Sequence, residues 1–160
     1  MYNFISKNEN ETINLAKNIA KFLKHGNIII LSGDLGSGKT KFTQGILEYF
    51  NLENEISSPT FTIVNEYNAE NTNIYHFDVY RLSDSDEFFA IGGEEYLTNG
   101  ICIIEWGEII EDILPNDYIK IIFSKDTQND NYRHLQITAT GESSKNIINS
   151  ILKNNAKGEI

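Results

Sequence analysis

Residues 33–40 carry the clearest chemistry in the chain. Gly33-Asp34-Leu35-Gly36-Ser37-Gly38-Lys39-Thr40 matches the pattern G-x-x-x-x-G-K-[ST] at every position. A loop of this kind wraps a polyphosphate with inward-pointing backbone N–H groups. Side chains at Gly33, Gly36 and Gly38 would obstruct that approach, and glycine also tolerates positive φ. The helix expected to follow turns its N-terminus, with free N–H donors and partial positive charge, toward the same phosphates. Lys39 adds a mobile charge for the β and γ oxygens. Thr40 offers a hydroxyl to Mg²⁺, which prefers hard oxygen ligands. The pattern points to a nucleoside polyphosphate and Mg²⁺ held by residues 33–40.

A phosphate loop needs acids nearby to hold the ion and place a water. Glu105 ends the apolar run Ile101-Cys102-Ile103-Ile104, where the C-terminal end of a buried strand would aim a carboxylate into such a site. The bland alternative is that strands simply end in polar residues. Asp78 lies in His76-Phe77-Asp78-Val79-Tyr80-Arg81. Strand alternation puts His76, Asp78 and Tyr80 on one face and Phe77 and Val79 on the other. That polar face either serves the nucleotide or is merely solvated. Thr60, in Ser57-Ser58-Pro59-Thr60, is either a γ-phosphate sensor or part of a plain turn. Trp106, the sole tryptophan, belongs either to the core or to an interface.

These residues need elements to position them. Tyr2 to Ser6 reads as a short edge strand, and Asn10 to Lys24 as a helix with an apolar face of Ile13, Ala16, Ala20 and Leu23. Asn27 to Ser32 is a continuous apolar run, suited to a strand covered on both faces. Helix resumes over Lys41 to Phe50. Phe61 to Tyr67 and Asn73 to Arg81 read as a hairpin, followed by short helices over Ser83 to Leu97 broken at Gly92-Gly93. Ile101 to Trp106 is another buried strand. Tyr118 to Ser124 and Tyr132 to Thr140 flank a polar turn, and Ser143 to Asn155 closes the chain as a helix. The expectation is an α/β, P-loop NTPase-like three-layer fold, with a mixed sheet containing antiparallel hairpins. With 160 residues and no linker, residues 1–160 read as one ATPase domain.

Composition narrows the function. With 23 acidic against 13 basic residues the net charge is −10, so the chain repels nucleic-acid phosphate unless a partner intervenes. The one cysteine, Cys102, fits a reducing compartment and reads as a small buried hydrophobe. No apolar stretch approaches the ~18 residues of a membrane helix, and no secretory signal is evident. The expected location is the cytoplasm, with no membrane partner.

Together these segments resemble the TsaE (formerly YjeE) family of small bacterial ATPases in tRNA threonylcarbamoyladenosine synthesis. The matching pieces are Gly33–Thr40, Ser58-Pro59-Thr60-Phe61, His76 to Leu82 and Ile104-Glu105-Trp106, in the family's order and spacing. The tract Asp84 to Tyr96 is similar too, so the resemblance spans roughly residues 5–140. It implies slow ATP hydrolysis with Mg²⁺, and partners of the TsaD and TsaB kinds. Those partners transfer the threonylcarbamoyl group to adenosine in ANN-decoding tRNAs, while ATP turnover resets the complex. The tRNA would be met only indirectly. Carried over, Lys39, Asp78 and Glu105 form the catalytic set, with Thr40, Glu105 and Asp78 at the metal. Thr60 and Asp78 lie in nucleotide-sensing segments, Trp106 sits beside the site, and Thr12 and Arg133 are further nucleotide contacts. Departures from the family pattern are Ser85, where relatives often have proline, and a short polar tail after Ser150.

Two other readings fit these residues less well. A P-loop small-molecule kinase closes a lid bearing several arginines, and this chain has only Arg81 and Arg133. A GTP switch would carry N-K-x-D, whereas the nearest segment is Ser124-Lys125-Asp126-Thr127.

Overall fold

The computed structural model describes residues 1–56 and 63–156. Its strands are β1 (Tyr2–Ser6), β2 (Ile28–Ser32), β3 (Val64–Asn68), β4 (Asn73–Asp78), β5 (Ile101–Glu105), β6 (Ile119–Lys125) and β7 (Arg133–Ala139). The helices are α1 (Glu9–Ala20), α2 (Lys39–Tyr49), α3 (Ser85–Ala90), α4 (Gly93–Tyr96) and α5 (Glu142–Ala156), with 3₁₀ turns over Glu53–Glu55 and Gly107–Ile113. Among the described residues the strands form one seven-stranded sheet, ordered β1-β7-β6-β2-β5-β4-β3.

The centre of the sheet is parallel: β2 pairs with β5 and β6, and β5 with β4. The margins are antiparallel, β3 on β4 and β1-β7-β6 on the other side. Every residue of β2 and β5 is buried, as their unbroken apolar runs require of strands covered on both faces. Side-chain alternation splits the core in two. Ile29, Leu31, Ile101 and Ile103 join Leu15, Phe42 and Ile147 from α1, α2 and α5 on one face. Ile28, Ile30, Cys102 and Ile104 join Phe77, Phe88 and Ile110 on the other. This is the expected three-layer α/β arrangement with a mixed sheet.

The expected elements are present, with ends shifted for local reasons. Helix α1 starts at Glu9 because the Asn8 side chain caps it, accepting from the Glu11 N–H at 3.0 Å. Helix α2 starts at Lys39, two residues before the expected Lys41, directly after the left-handed Gly38. Strand β4 ends at Asp78 rather than Arg81. The Asp78 carboxylate accepts the Tyr80 N–H at 3.1 Å and turns the chain. Tyr80 therefore does not continue the face of His76 and Asp78. Strand β5 stops one residue early because Trp106 adopts φ 62°, in the left-handed region. Thr60 and the first two residues of the Phe61 to Tyr67 strand lie outside the described residues.

Cys102 is fully buried and its thiol is pushed up to about 12 by burial. It is a packing residue, as its setting among isoleucines suggests.

The helix pair beside the loop depends on a close approach. A Cβ at Gly45 of α2 would lie 2.5 Å from the Ile13 carbonyl oxygen and 2.7 Å from the Ala16 Cβ of α1. Intrinsic propensity alone would make Gly45→Ala stabilising by up to ~1 kcal/mol. Overpacking against backbone costs about 1–3 kcal/mol and outweighs it. Urea denaturation of Gly45→Ala is expected to show a net loss; an unchanged or raised midpoint would contradict this packing.

Candidate nucleotide-binding site

The site lies where the parallel strands end. Strands β2, β5 and β4 are adjacent and their C-termini point the same way, which leaves a crevice at that edge of the sheet. The loop 33–38 leaves β2, and α2 leaves the loop. Register pairs Leu31 with Glu105 and Glu105 with Asp78, so both carboxylates stand beside the loop on neighbouring strand ends. A cleft of about 730 Å³ opens there, lined by Gly36, Gly38, Lys39, Thr40, Asp78, Glu105, Trp106, Thr12 and Arg133 among others.

The glycines take the positive φ values expected, 137° at Gly33, 73° at Gly36 and 113° at Gly38. They serve different ends. A Cβ on Gly33 would sit 2.4 Å from the Phe123 carbonyl oxygen of β6, so Gly33 is fixed by packing against the sheet. Gly36 and Gly38 line the cleft, where a bare backbone lets a ligand approach. Gly33, Asp34 and Ser37 do not line it. They shape the loop from behind: the Ser37 N–H donates to the Asp34 carbonyl at 3.1 Å, and the Ser37 hydroxyl is buried without a hydrogen-bond partner among the described residues. Leu35 lies at the exposed tip and is 86% exposed.

Lys39 is buried although charged. Its ammonium donates to the Gly33 carbonyl and, at 3.0 Å, to the Asp34 carbonyl. It also lies 4.7 Å from the centre of the Trp106 ring, a cation–π distance. Burial pulls its pKa below the ordinary 10.5, and the charges of Glu105, Glu108, Asp78 and Asp34 oppose that pull. Trp106 therefore sits at the site, half-buried and packed against the edge of the core, its ring 4.8 Å from that of Tyr80.

The acids differ in setting. Glu105 is 7% exposed, and its Oε1 is buried without a hydrogen-bond partner among the described residues. Leaving such an atom unsatisfied costs ~1–3 kcal/mol, and the His76 Nε2 stands 3.6 Å from it. Asp78 is half-buried at the mouth and also closes its own turn.

Thr40 is exposed in the cleft at the first turn of α2. Thr12 lines the cleft but its hydroxyl shares a 2.7 Å hydrogen bond with Ser6. Arg133, at the start of β7, reaches the loop: its guanidinium donates to the Gly36 carbonyl at 3.4 Å and to the Tyr132 carbonyl at 2.8 Å. The structure thus gathers Thr12, Leu35, Gly36, Gly38, Lys39, Thr40, Asp78, Glu105 and Arg133 around one cleft.

Sequence reasoning missed several neighbours. Glu9 and Lys41 line the cleft and pair at 3.1 Å, and Asn8 and Asn131 join them. Glu108 accepts from the Ser32 hydroxyl at 2.5 Å and so ties the 3₁₀ turn to the start of the loop. Lys41 directly follows the motif and was open to suspicion; Glu108 and Asn131 carry no motif, and only folding brings them in.

A fold with a central parallel sheet, a glycine loop after β2 and a helix springing from that loop defines a P-loop NTPase-like protein. A solved structure, that of YdiB from Bacillus subtilis, superposes with a TM-score of 0.77 at 32% identity, over 96% of this chain and 95% of that one. The family described as "Threonylcarbamoyl adenosine biosynthesis protein TsaE" matches residues 6–135, and the chain belongs to that family. Curated relatives carry the name tRNA threonylcarbamoyladenosine biosynthesis protein TsaE. That of Bacillus subtilis is 41% identical over 84% of this chain and 83% of its own length. That of Rickettsia bellii is 45% identical over 73% and 82% respectively. That of Haemophilus influenzae is 40% identical over 77% of each.

The buried ammonium carries a pH signature. Its folded pKa lies below the unfolded 10.5, so below the folded value Lys39 weighs against folding. That penalty is relieved as pH rises from the lowered pKa to 10.5. Urea titrations at rising pH up to 10.5 are expected to show wild type gaining stability relative to Lys39→Met as the lowered pKa is passed. A constant difference between the two would contradict the burial.

Proposed function

We propose that the chain, 1–160 as one unit, is a Mg²⁺-dependent ATPase subunit of the machinery that makes threonylcarbamoyladenosine in ANN-decoding tRNAs. In this reading it works in the cytoplasm with TsaD-like and TsaB-like proteins, and its slow ATP turnover resets their complex between rounds. The observation that carries the reading is the buried Lys39 ammonium, which satisfies itself on two carbonyl oxygens of its own loop. A phosphate oxygen is the better acceptor for that charge, since an anionic oxygen adds a charge–charge attraction that a neutral carbonyl lacks.

Other features fit the same ligand. The first-turn N–H groups of α2 have no partner within the helix and face the loop. Glu105 lines the cleft with its carboxylate, and Thr40 offers an exposed hydroxyl. Among the described residues no group of three or more His, Cys, Asp or Glu side chains is arranged to hold a metal. Mg²⁺ needs only one or two protein oxygens and completes its shell with phosphates and waters. When bound, the ion neutralises charge on the β and γ oxygens. Thr40 and Glu105 would hold it, Lys39 would bind the phosphates, and Asp78, nearer the mouth, would help hold the ion and order the attacking water. Thr12 and Arg133 would contact the nucleotide, and Thr60 would sense the γ-phosphate.

The net charge of −10 supports a protein partner over RNA. A subunit tethered to a partner already holding tRNA avoids the repulsion between its acids and the tRNA phosphates.

Calorimetry with ATP and Mg²⁺ tests the core of this reading. Wild type is expected to bind, and Lys39→Ala to bind at least about tenfold more weakly, the equivalent of one hydrogen bond to a charged group. No heat of binding to folded wild type would end the proposal. With TsaD-like and TsaB-like proteins and tRNA, wild type is expected to sustain many rounds of modification. Lys39→Ala is expected to stall near one, and equal yields would remove the resetting role.

A further inference from the structure

One buried side chain beside the site has no described role. His76 lies on β4, 4% exposed, two residues before Asp78 and opposite Ile103 of β5. Neither of its ring nitrogens has a hydrogen-bond partner among the described residues. Its Nε2 stands 3.6 Å from the Glu105 Oε1, which is itself buried and unpartnered. Two orphaned polar atoms thus face each other just beyond hydrogen-bond reach, at 3.6 Å against the usual limit near 3.2 Å. A small shift of either side chain joins them and satisfies both. Strands β4 and β5 hold the two residues in a fixed parallel register, so the encounter is built into the sheet.

We propose that His76 is a positioning residue for Glu105: its Nε2–H donates to Oε1 and holds the carboxylate in the orientation that receives Mg²⁺. The inference rests on the reading that Glu105 holds the ion. Glu105 lines the cleft, so a carboxylate pinned through Oε1 offers its other oxygen there. His76 itself does not line the cleft and acts only through Glu105. Interactions of this kind behind a metal ligand change metal affinity about 10- to 100-fold.

The test measures ATP binding to the intact chain by calorimetry over a Mg²⁺ series and in EDTA. His76→Leu is expected to raise the Mg²⁺ concentration at half-effect about tenfold. Its affinity for ATP in EDTA should stay within about twofold of wild type, the range of a change that touches nothing in the loop. His76→Gln keeps an N–H donor at similar reach and is expected to recover most of the shift. In a Glu105→Gln background, His76→Leu is expected to add nothing. Should the leucine variant fail to fold, His76→Met gives the same comparison.

A Mg²⁺ midpoint unmoved by His76→Leu but moved by Glu105→Gln overturns the positioning role alone. A midpoint unmoved by Glu105→Gln overturns the metal role of Glu105, and this inference with it. Additive shifts in the double variant, or an equal loss of ATP affinity in EDTA, also overturn it.

Discussion

The cleft is organised around a cation that the protein buries. Lys39 sits at the first turn of α2, where partial positive charge already gathers, and burial disfavours its charge further. The charge is tolerated because the loop bends its own carbonyls onto it, because Trp106 covers it, and because carboxylates surround it. None of these neighbours neutralises it fully. The result is a positive charge held in position within an acidic molecule. A polyphosphate would meet that ammonium together with the N-terminus of α2.

That arrangement depends on backbone geometry before side chains. Gly33 lets the loop leave β2 against the Phe123 carbonyl, and any Cβ there would push the loop off the sheet. Glu108 then ties the end of β2 through Ser32. Parallel pairing of β2, β5 and β4 brings Glu105 and Asp78 to the same edge, because parallel strands end in the same direction. An antiparallel neighbour in the place of β5 would send its C-terminal carboxylate to the far edge. The antiparallel strands are confined to the margins, where they supply Arg133 and close the sheet without displacing the acids.

Left-handed backbone at Trp106 shows how a local irregularity serves the site. Had β5 continued, alternation would have sent the indole to the face opposite Glu105. The turn at φ 62° instead brings it over the Lys39 ammonium and against Tyr80. Tyr80 reaches that place for a related reason: Asp78 ends its strand by capping the following turn. Both aromatic residues were misread as strand positions because alternation assumes the strand goes on. Nothing in Ile104-Glu105-Trp106 announces the break.

Much of this protein was legible in its residues alone. The glycine loop, the apolar runs of β2 and β5, the helical faces of α1 and α5 and the acids at strand ends are local patterns, and local sterics and periodicity determine them. The family resemblance rests on the same local segments. What required the tertiary structure were relations between segments far apart in the chain. The order of the strands, the orphaned pair of His76 and Glu105, the reach of Arg133 to Gly36 and the latch from Glu108 to Ser32 all belong to this kind. Each depends on register across the sheet and on what burial leaves unsatisfied. Neither quantity exists until distant segments pack.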